Sequence, residues 1–344
     1  MSMKRFPLTI AASFLGGTAM ADVPSVAVDI APIHSLVARV MDGVGEPNLL
    51  IPPGASPHEY SLKPSDAQAL QDADIVFWVG EGLTPWLEDA IDTLAGDASI
   101  TTLLEVDGIE PLDFREDALF ETHDHDEHDE HDEHDEHDEH DHDEHAEDKH
   151  DDHDERDHED HAETDDDHDG HVHGEHDPHA WLSPDVAAVW LNEIAAQLST
   201  ADPSNAGEYF ANAAAGREEI AELKSEILET LEPVRDQQFI VFHDAYQYFE
   251  SAFEFPAAGA ISLSDASDPS PTRIADIQGR VREDGIDCVL AEPQFNPGMV
   301  ATVMDGTEAS TGILDPLGSD LEPGPDMYGQ LLKNLAGVLV ECLK

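Results

Sequence analysis

Short apolar runs alternate with helical patterns in the first part of the chain. The runs cover residues 25–30, 48–51 and 75–79, and helical patterns follow them to Met41, over 64–73 and over 84–94. Continuous apolar runs with helices between them predict a parallel sheet that is covered on both faces. We therefore expect a doubly wound α/β lobe within residues 22–200.

The same alternation returns in the second part of the chain. Strands are expected at 239–242, 260–263, 286–291 and near 313–314, with helices at 271–284, 297–305 and 327–343. Between the two parts lie a helical pattern from about 181 to 198 and a longer one over 205–231, which Pro233 ends. The pattern thus predicts two α/β lobes, with a linker helix within 201–234 and the second lobe within 235–344. Ligands of open parallel sheets bind beyond the carboxyl ends of the strands, so we expect a site in the cleft between the lobes.

Residues 121–177 interrupt the first lobe with a low-complexity insert. This stretch holds 17 of the 21 His and 31 acidic residues, and from His128 to His140 it repeats His-Asp-Glu. A segment so charged and so poor in apolar residues cannot bury a core, and we expect it to be disordered.

The charge of the whole chain narrows the class of partner. The 15 Lys and Arg residues against 78 Asp and Glu residues give a formal net charge of −63. Such a chain is a poor partner for nucleic acid or for an anionic membrane surface, because both need cationic contacts. Outside the insert, the excess of acidic residues has two interpretations: a salt-adapted surface, or weak electrostatic attraction of divalent cations.

The N-terminus has the pattern of a secretory signal peptide. Lys4 and Arg5 precede a short apolar run. The following Ala19-Met20-Ala21 has the small residues of a signal-peptidase cleavage site, which predicts cleavage after Ala21. No later segment has the length and apolar character of a membrane span, so an exported protein that is not embedded in a membrane is expected. Its two cysteines, Cys288 and Cys342, form at most one disulfide or remain two buried thiols.

Three histidines outside the insert stand out because each lies in a loop beside a predicted strand or helix end. His58 lies in a Pro/Gly-rich loop after the 48–51 run, His179 in a Pro-containing turn and His243 directly after a predicted strand. Asp315 has a similar position after the last predicted strand, whereas His34 lies within the first helix and is interpreted as structural. Three neutral imidazoles with a carboxylate or water suit tetrahedral Zn²⁺, while Mg²⁺ and Ca²⁺ prefer more oxygen ligands.

Four segments carry a resemblance to a known family. They are PGASPHEY at 53–60, DPHAWL at 177–182, FHDAYQY at 242–248 and AEPQF at 291–295. In this order, with an acidic His-rich loop before the second motif, they resemble the ZnuA-type periplasmic zinc-binding proteins of ABC transporters. The resemblance covers essentially the whole chain after residue 21.

The resemblance implies two (β/α)4-like lobes joined by one long rigid helix, with Zn²⁺ in the cleft between them. Carried over residue by residue, it assigns the metal to His58, His179 and His243, with Asp315 or water in the fourth position. It also implies a disulfide between Cys288 and Cys342. The expected function is capture of Zn²⁺ in the periplasm and its delivery to an inner-membrane ABC permease, by a protein that is a monomer and not an enzyme.

Two other functions remain open. The insert alone suits a zinc buffer or chaperone, with auxiliary low-affinity sites at His123, His125, His128, His131, His134, His137 and His140. An exported zinc hydrolase needs an open metal position and a general base, for which Glu59 is the obvious candidate. The sequence contains neither a His-Glu-x-x-His nor a Gly-x-Ser-x-Gly motif, which disfavours the hydrolase.

Overall fold

The computed structural model describes residues 23–115, 120, 176–262, 270–283, 285–295 and 297–344. The predicted signal peptide at 1–21 and the seven auxiliary histidines of the insert lie outside the described residues. No helix among the described residues combines the length and the apolar character that a membrane crossing requires.

The first lobe is built on a parallel sheet with the strand order β2-β1-β3-β4. Its elements are β1 (Val26–Val28), α1 (Ala31–Val40), β2 (Asn48–Leu49), α2 (Pro64–Gln71), β3 (Ile75–Trp78), α3 (Pro85–Leu94) and β4 (Ser99–Thr102). The two central strands, β1 and β3, are buried on both faces, which explains their continuous apolar runs. Pro32, Pro64 and Pro85 lie in the first turns of helices, where a missing N–H costs nothing.

The second lobe repeats this arrangement with the strand order β6-β5-β7-β8, again entirely parallel. Its elements are β5 (Phe239–His243), α6 (Gln247–Phe253), β6 (Gly259–Ser262), α7 (Pro271–Glu283), β7 (Cys288–Ala291), α8 (Pro297–Met304), β8 (Ser310–Ile313) and α9 (Met327–Cys342). Alternate residues of β5 join different apolar clusters: Phe239 and Val241 belong to the main core, and Ile240 and Phe242 belong to a smaller cluster with Ile277.

Helix α4 (Pro184–Ala201) is followed by the longer α5 (Ala206–Leu231), which connects the two lobes. Helix α5 packs against α1 and α4 of the first lobe and against α9 of the second. One apolar cluster therefore runs from β1 through these helices to β5 and α9, and both lobes belong to one compact unit. Cys288 of β7 and Cys342 of α9 form a disulfide, with 5.7 Å between their Cα atoms.

The prediction of two parallel α/β lobes is confirmed, and the structure adds two elements that the sequence pattern did not reveal. Strand β4 at the sheet edge holds one large apolar residue, Ile100, which is 39% exposed, so it lacks the apolar run of a central strand. Helix α6 is only seven residues long, too short to show a helical period. The pattern expected from residue 181 begins as a short 3-10 turn at 180–182, and α4 starts only at Pro184.

Candidate metal centre

A small cavity of about 20 Å³ lies between the lobes and brings the three predicted histidines together. Its lining comes from the loop after β2, the turn before α4, and the ends of β5, β7 and β8: Ser56, Pro57, His58, His179, Trp181, His243, Glu292, Gln294, Phe295, Pro316 and Leu317. The described parts of the chain therefore place residues more than 180 positions apart around one point.

His179 and His243 form the inner part of this site. Each is 5% exposed, and their Nε2 atoms lie 3.4 Å apart. Two nitrogens bound to one tetrahedral Zn²⁺ at about 2.0–2.1 Å would be about 3.3–3.4 Å from each other. The pair already has the separation that a shared zinc ion requires.

A carboxylate fixes the orientation of each of these two rings. His179 directs both its backbone N–H (2.9 Å) and its ring Nδ1 (2.7 Å) to Oδ1 of Asp177. His243 directs the same two groups, at 3.4 and 2.8 Å, to Oε1 of Glu292. A ring that donates its Nδ1 hydrogen to a carboxylate presents the lone pair of Nε2, which is the tautomer that binds a metal ion.

The topology of the second sheet explains why His243 meets Glu292. His243 is the last residue of β5, and Glu292 follows the last residue of β7. These two strands are neighbours, and Ile240 is paired with Val289 in the parallel register. Three residues further along each strand, the chain reaches His243 and Glu292 at the same edge of the sheet, where the strand order reverses and ligands typically bind.

Burial affects the charge behind His179. It raises the pKa of Asp177 to about 7, although the backbone N–H of His179 and the positive charge of Arg115 act in the opposite direction. A cation at the two Nε2 atoms would favour the ionised carboxylate through the ring of His179. A cation bound at this corner of the cavity would therefore be stabilised by the ionised form of Asp177.

His58 occupies the outer side of the cavity and is half-buried. Its ring centroid lies 5.9 Å from that of His179, compared with 5.2 Å between His179 and His243. The loop that carries it is tied down by a 2.7 Å hydrogen bond from Trp86 Nε1 to the carbonyl of Pro57. Gly54 enters this loop with φ +83°, a backbone conformation that favours glycine.

The three rings are gathered but do not yet form a closed coordination sphere. Across the described ranges, no three His, Cys, Asp or Glu side chains are placed to hold a metal ion as they stand. The inner pair has the required nitrogen separation, and His58 is the more distant neighbour. His58 is therefore the outer member of the three gathered rings.

Asp315, the predicted alternative to water as a fourth ligand, is engaged elsewhere. Its Oδ1 accepts the N–H groups of Leu317 and Gly318 at 3.0 and 3.1 Å. Its Oδ2 accepts both the N–H and the hydroxyl of Ser319, at 2.6 and 2.5 Å. Binding of Asp315 to a metal stays a prediction, and it would require this carboxylate to give up hydrogen bonds that hold its own loop.

Sequence reasoning missed the roles of Asp177 and Glu292. Both stand inside the quoted motifs, one two residues before His179 and the other directly after β7. The signal available for Asp177 was an acidic residue beside a candidate ligand. Glu292 lies 49 positions from His243, so only the register of the sheet brings the two together.

Comparisons with known proteins identify the family of this chain. Residues 26–342 match the family model described as zinc-uptake complex component A, periplasmic. The high-affinity zinc uptake system protein ZnuA of Brucella abortus (strain 2308) is 46% identical over 332 residues, covering 96% of this chain and 95% of its own length. The ZnuA protein of Paracoccus denitrificans is 44% identical over 338 residues, with 97% of both chains covered.

Solved structures show the same fold at lower sequence identity. A zinc-bound ZnuA deletion mutant superimposes with a TM-score of 0.68 at 21% identity, covering 94% of this chain and 99% of its own. A Mn-bound periplasmic metal-binding protein from Candidatus Liberibacter asiaticus gives a TM-score of 0.67 at 21% identity, with 93% and 100% covered. The family match over residues 26–342 and the 46% identity to the Brucella abortus protein establish that the chain belongs to the ZnuA family of periplasmic zinc-uptake components.

Proposed function

We propose that this protein captures one Zn²⁺ ion with His58, His179 and His243 and presents it to a membrane permease for import. The inner pair, His179 and His243, receives the ion first, and His58 then closes the site from the loop after β2. The observation that carries the proposal is the 3.4 Å separation of the two Nε2 atoms, each on a ring oriented by a buried carboxylate.

The size of the cavity supports capture of a bare ion. Its volume of about 20 Å³ is close to the space that one water molecule occupies, and Trp181, Phe295 and Leu317 enclose it. An organic chelator carried with the zinc would not fit. The chelator must therefore release its zinc before the site closes.

Family membership separates this function from the hydrolase considered from the sequence, because the family consists of zinc-uptake components and not enzymes. A permease partner follows from the role of such a component, which has to pass the ion on. We infer in addition that residues 1–21 direct export, that a single chain is sufficient to bind zinc, and that the histidines of the insert supply weaker auxiliary sites.

Competition titration with a chromogenic chelator tests the proposal. Wild-type protein is expected to hold one tight Zn²⁺ equivalent, which His58→Ala, His179→Ala and His243→Ala each weaken. His34→Gln serves as the control, because His34 lies in α1 and bonds to the carbonyl of Pro47 rather than lining the cavity. Unchanged affinity in the His179 and His243 variants would overturn the assignment.

The same titration separates capture from buffering by the insert. Deletion of residues 123–175 should remove weak zinc equivalents and leave the tight one. If the tight equivalent disappears with the insert, the protein is a buffer whose main site lies there.

A further inference from the structure

The segment 112–115 contacts both of the chain stretches that carry the inner histidines. Leu112 accepts the backbone N–H of Asp177 at 2.8 Å, and Asp113 forms an isolated antiparallel bridge with His176. On its other side, the backbone N–H of Leu112 donates to the hydroxyl of Tyr248 in α6 at 2.9 Å. The segment, which follows β4 of the first lobe in the chain, therefore lies against the second.

Arg115 ends this segment and makes the strongest of its contacts. Its Nε and Nη2 atoms donate to the two carboxylate oxygens of Asp244, the Nε contact measuring 2.9 Å. Its Nη1 and Nη2 atoms donate to the two oxygens of Glu250, each at 2.9 Å. Both carboxylates are 5% exposed, and the guanidinium lies 3.6 Å from the ring centroid of Phe120.

These contacts connect Arg115 to the candidate metal centre indirectly, through neighbours of the two inner histidines. Asp244 directly follows His243 in the chain, and its backbone N–H donates to the carbonyl of Ser262 on β6. Asp177, which orients His179, donates its backbone N–H to the carbonyl of Leu112, three residues before Arg115. One short segment thus bonds to a residue within two positions of each inner histidine, although those histidines are 64 positions apart.

We propose that Arg115 is a positioning residue for zinc capture, whose double fork to Asp244 and Glu250 holds the His179 and His243 stretches at the separation that the ion needs. The inference rests on the proposed function, since it concerns the same ion and the same pair. Arg115 lines no part of the cavity, so it acts through Asp244 and through the backbone of its segment.

Geometry and charge predict opposite results when Arg115 is replaced. A positive charge close to a cation site weakens cation binding through space, so its loss by itself would tighten zinc binding. Loss of the fork would instead loosen the pair and weaken zinc binding. Arg115→Lys keeps the charge and loses the planar two-pronged geometry, which separates the two effects.

Zinc affinity of Arg115→Lys and Arg115→Ala is measured by the same competition titration. We expect Arg115→Lys to bind zinc about 10-fold more weakly and Arg115→Ala about 10–100-fold more weakly, the range typical of outer-shell partners. Arg39→Lys and Arg39→Ala are the matched controls, because Arg39 makes a similar two-pronged contact to Glu219 on α5 away from the cavity. Unchanged affinity in Arg115→Lys, or tighter binding in Arg115→Ala, would overturn the inference.

Co²⁺ provides a readout that general destabilisation would not move, because its visible absorption depends on coordination geometry. The spectrum of bound Co²⁺ should change in Arg115→Lys and stay unchanged in Arg39→Lys. An unchanged spectrum in Arg115→Lys would mean that the arginine supports the fold and not the site.

A folding failure of Arg115→Ala leaves the inference testable, since removal of one partner from a buried ion cluster is strongly destabilising. In that case Glu250→Gln weakens one fork without touching either histidine, and we expect zinc binding to weaken by about threefold or more. Wild-type affinity in Glu250→Gln would overturn the inference. If instead the histidine variants themselves bind zinc normally, the proposed function fails, whereas normal binding in the Arg115 variants alone refutes only the role of Arg115.

Discussion

The two lobes share one sheet order but use the point where that order reverses in different ways. In the second lobe, the adjacent ends of β5 and β7 carry His243 and Glu292, which face the cavity. In the first lobe, the corresponding ends of β1 and β3 carry Asp29 and Val79. The fully buried carboxylate of Asp29 accepts the N–H groups of Ile30 and Val79, each at 2.7 Å.

The difference shows that topology determines where a site can form, while residue identity decides whether it does. In the first lobe the position is used to tie two strand ends together, and the candidate ligand, His58, comes from a loop nine residues beyond β2. In the second lobe the candidate ligand, His243, is part of the strand itself. The strand end thus offers a fixed histidine, whereas the loop after β2 offers an adjustable one, in addition to His179 from the turn before α4.

The largest expected effect concerns the two kinds of histidine. His243→Ala should weaken zinc binding by about 1000-fold or more, beyond the roughly 10–100-fold typical of outer-shell partners. His58→Ala should cost about tenfold less, because a loop ligand has to be ordered when it binds. Isothermal competition titration of both variants measures the ratio, and equal losses would contradict the distinction between fixed and adjustable ligands.

The next effect concerns the pH dependence that Asp29 gives to the first lobe. Burial raises its pKa from 3.8 to about 7, so between these values the folded state holds a proton that the unfolded state has lost. Folding stability should therefore fall as the pH rises from about 4 to about 7, by about 4 kcal/mol from this group, and Asp29→Asn should remove that slope. Denaturant unfolding of the metal-free protein across this range measures it.

The control for Asp29 is Asp74→Asn. Asp74 also accepts a backbone N–H, that of Ser25 at 2.8 Å, but it is exposed. This substitution should leave the slope between pH 4 and 7 in place. An identical slope in wild type and Asp29→Asn would show that Asp29 stays ionised in the fold.

The disulfide between β7 and α9 ties the last helix to the second sheet. It closes a loop of 54 positions, so the double variant Cys288→Ser/Cys342→Ser should lose about 4 kcal/mol of unfolding free energy. Zinc affinity at low temperature should stay within a factor of a few, because neither cysteine lines the cavity. Calorimetry with and without zinc tests both statements. A large loss of zinc affinity in the double variant would show that the disulfide also determines the geometry of the site.

The smallest expected effect separates orientation from stability. Glu292→Gln should weaken zinc binding by about 10–100-fold, because the amide holds the ring of His243 less firmly in the required tautomer. Asp177→Asn should have a similar effect on His179, and Glu232→Gln, whose carboxylate makes only an exposed pair with Arg235, should have none. Zinc dissociation measured by stopped flow gives the comparison, and wild-type rates in both Glu292→Gln and Asp177→Asn would remove their assigned role.

Much of this arrangement could be predicted from the sequence because it is encoded locally. The apolar runs of β1, β3 and β5 and the helix starts at Pro64 and Pro184 are visible in short windows. The three histidines could be chosen because each lies next to an element end. Edge strand β4 and the seven-residue α6 were not predicted, because neither contains an apolar pattern long enough to recognise.

The parts that could not be predicted depend on long-range register. Glu292 pairs with His243 only because β7 lies beside β5, and Arg115 reaches Asp244 from 129 positions away. Asp315 looked like a ligand because it follows a strand, yet its carboxylate accepts hydrogen bonds from the turn that it begins. For His243 and Asp315, position in the sequence identified the correct edge of the sheet, and the direction of each side chain came only from the fold.

The last helix of the chain completes the core of the first lobe. Helix α9 packs against α1 and α5, and Ser35 of α1 accepts the N–H of Tyr328 and donates to the carbonyl of Gly324. Because Ser35 and Tyr328 are 293 positions apart, the first lobe lacks part of its packing until α9 has been synthesised. The two lobes therefore cannot complete their folding as independent N-terminal and C-terminal units.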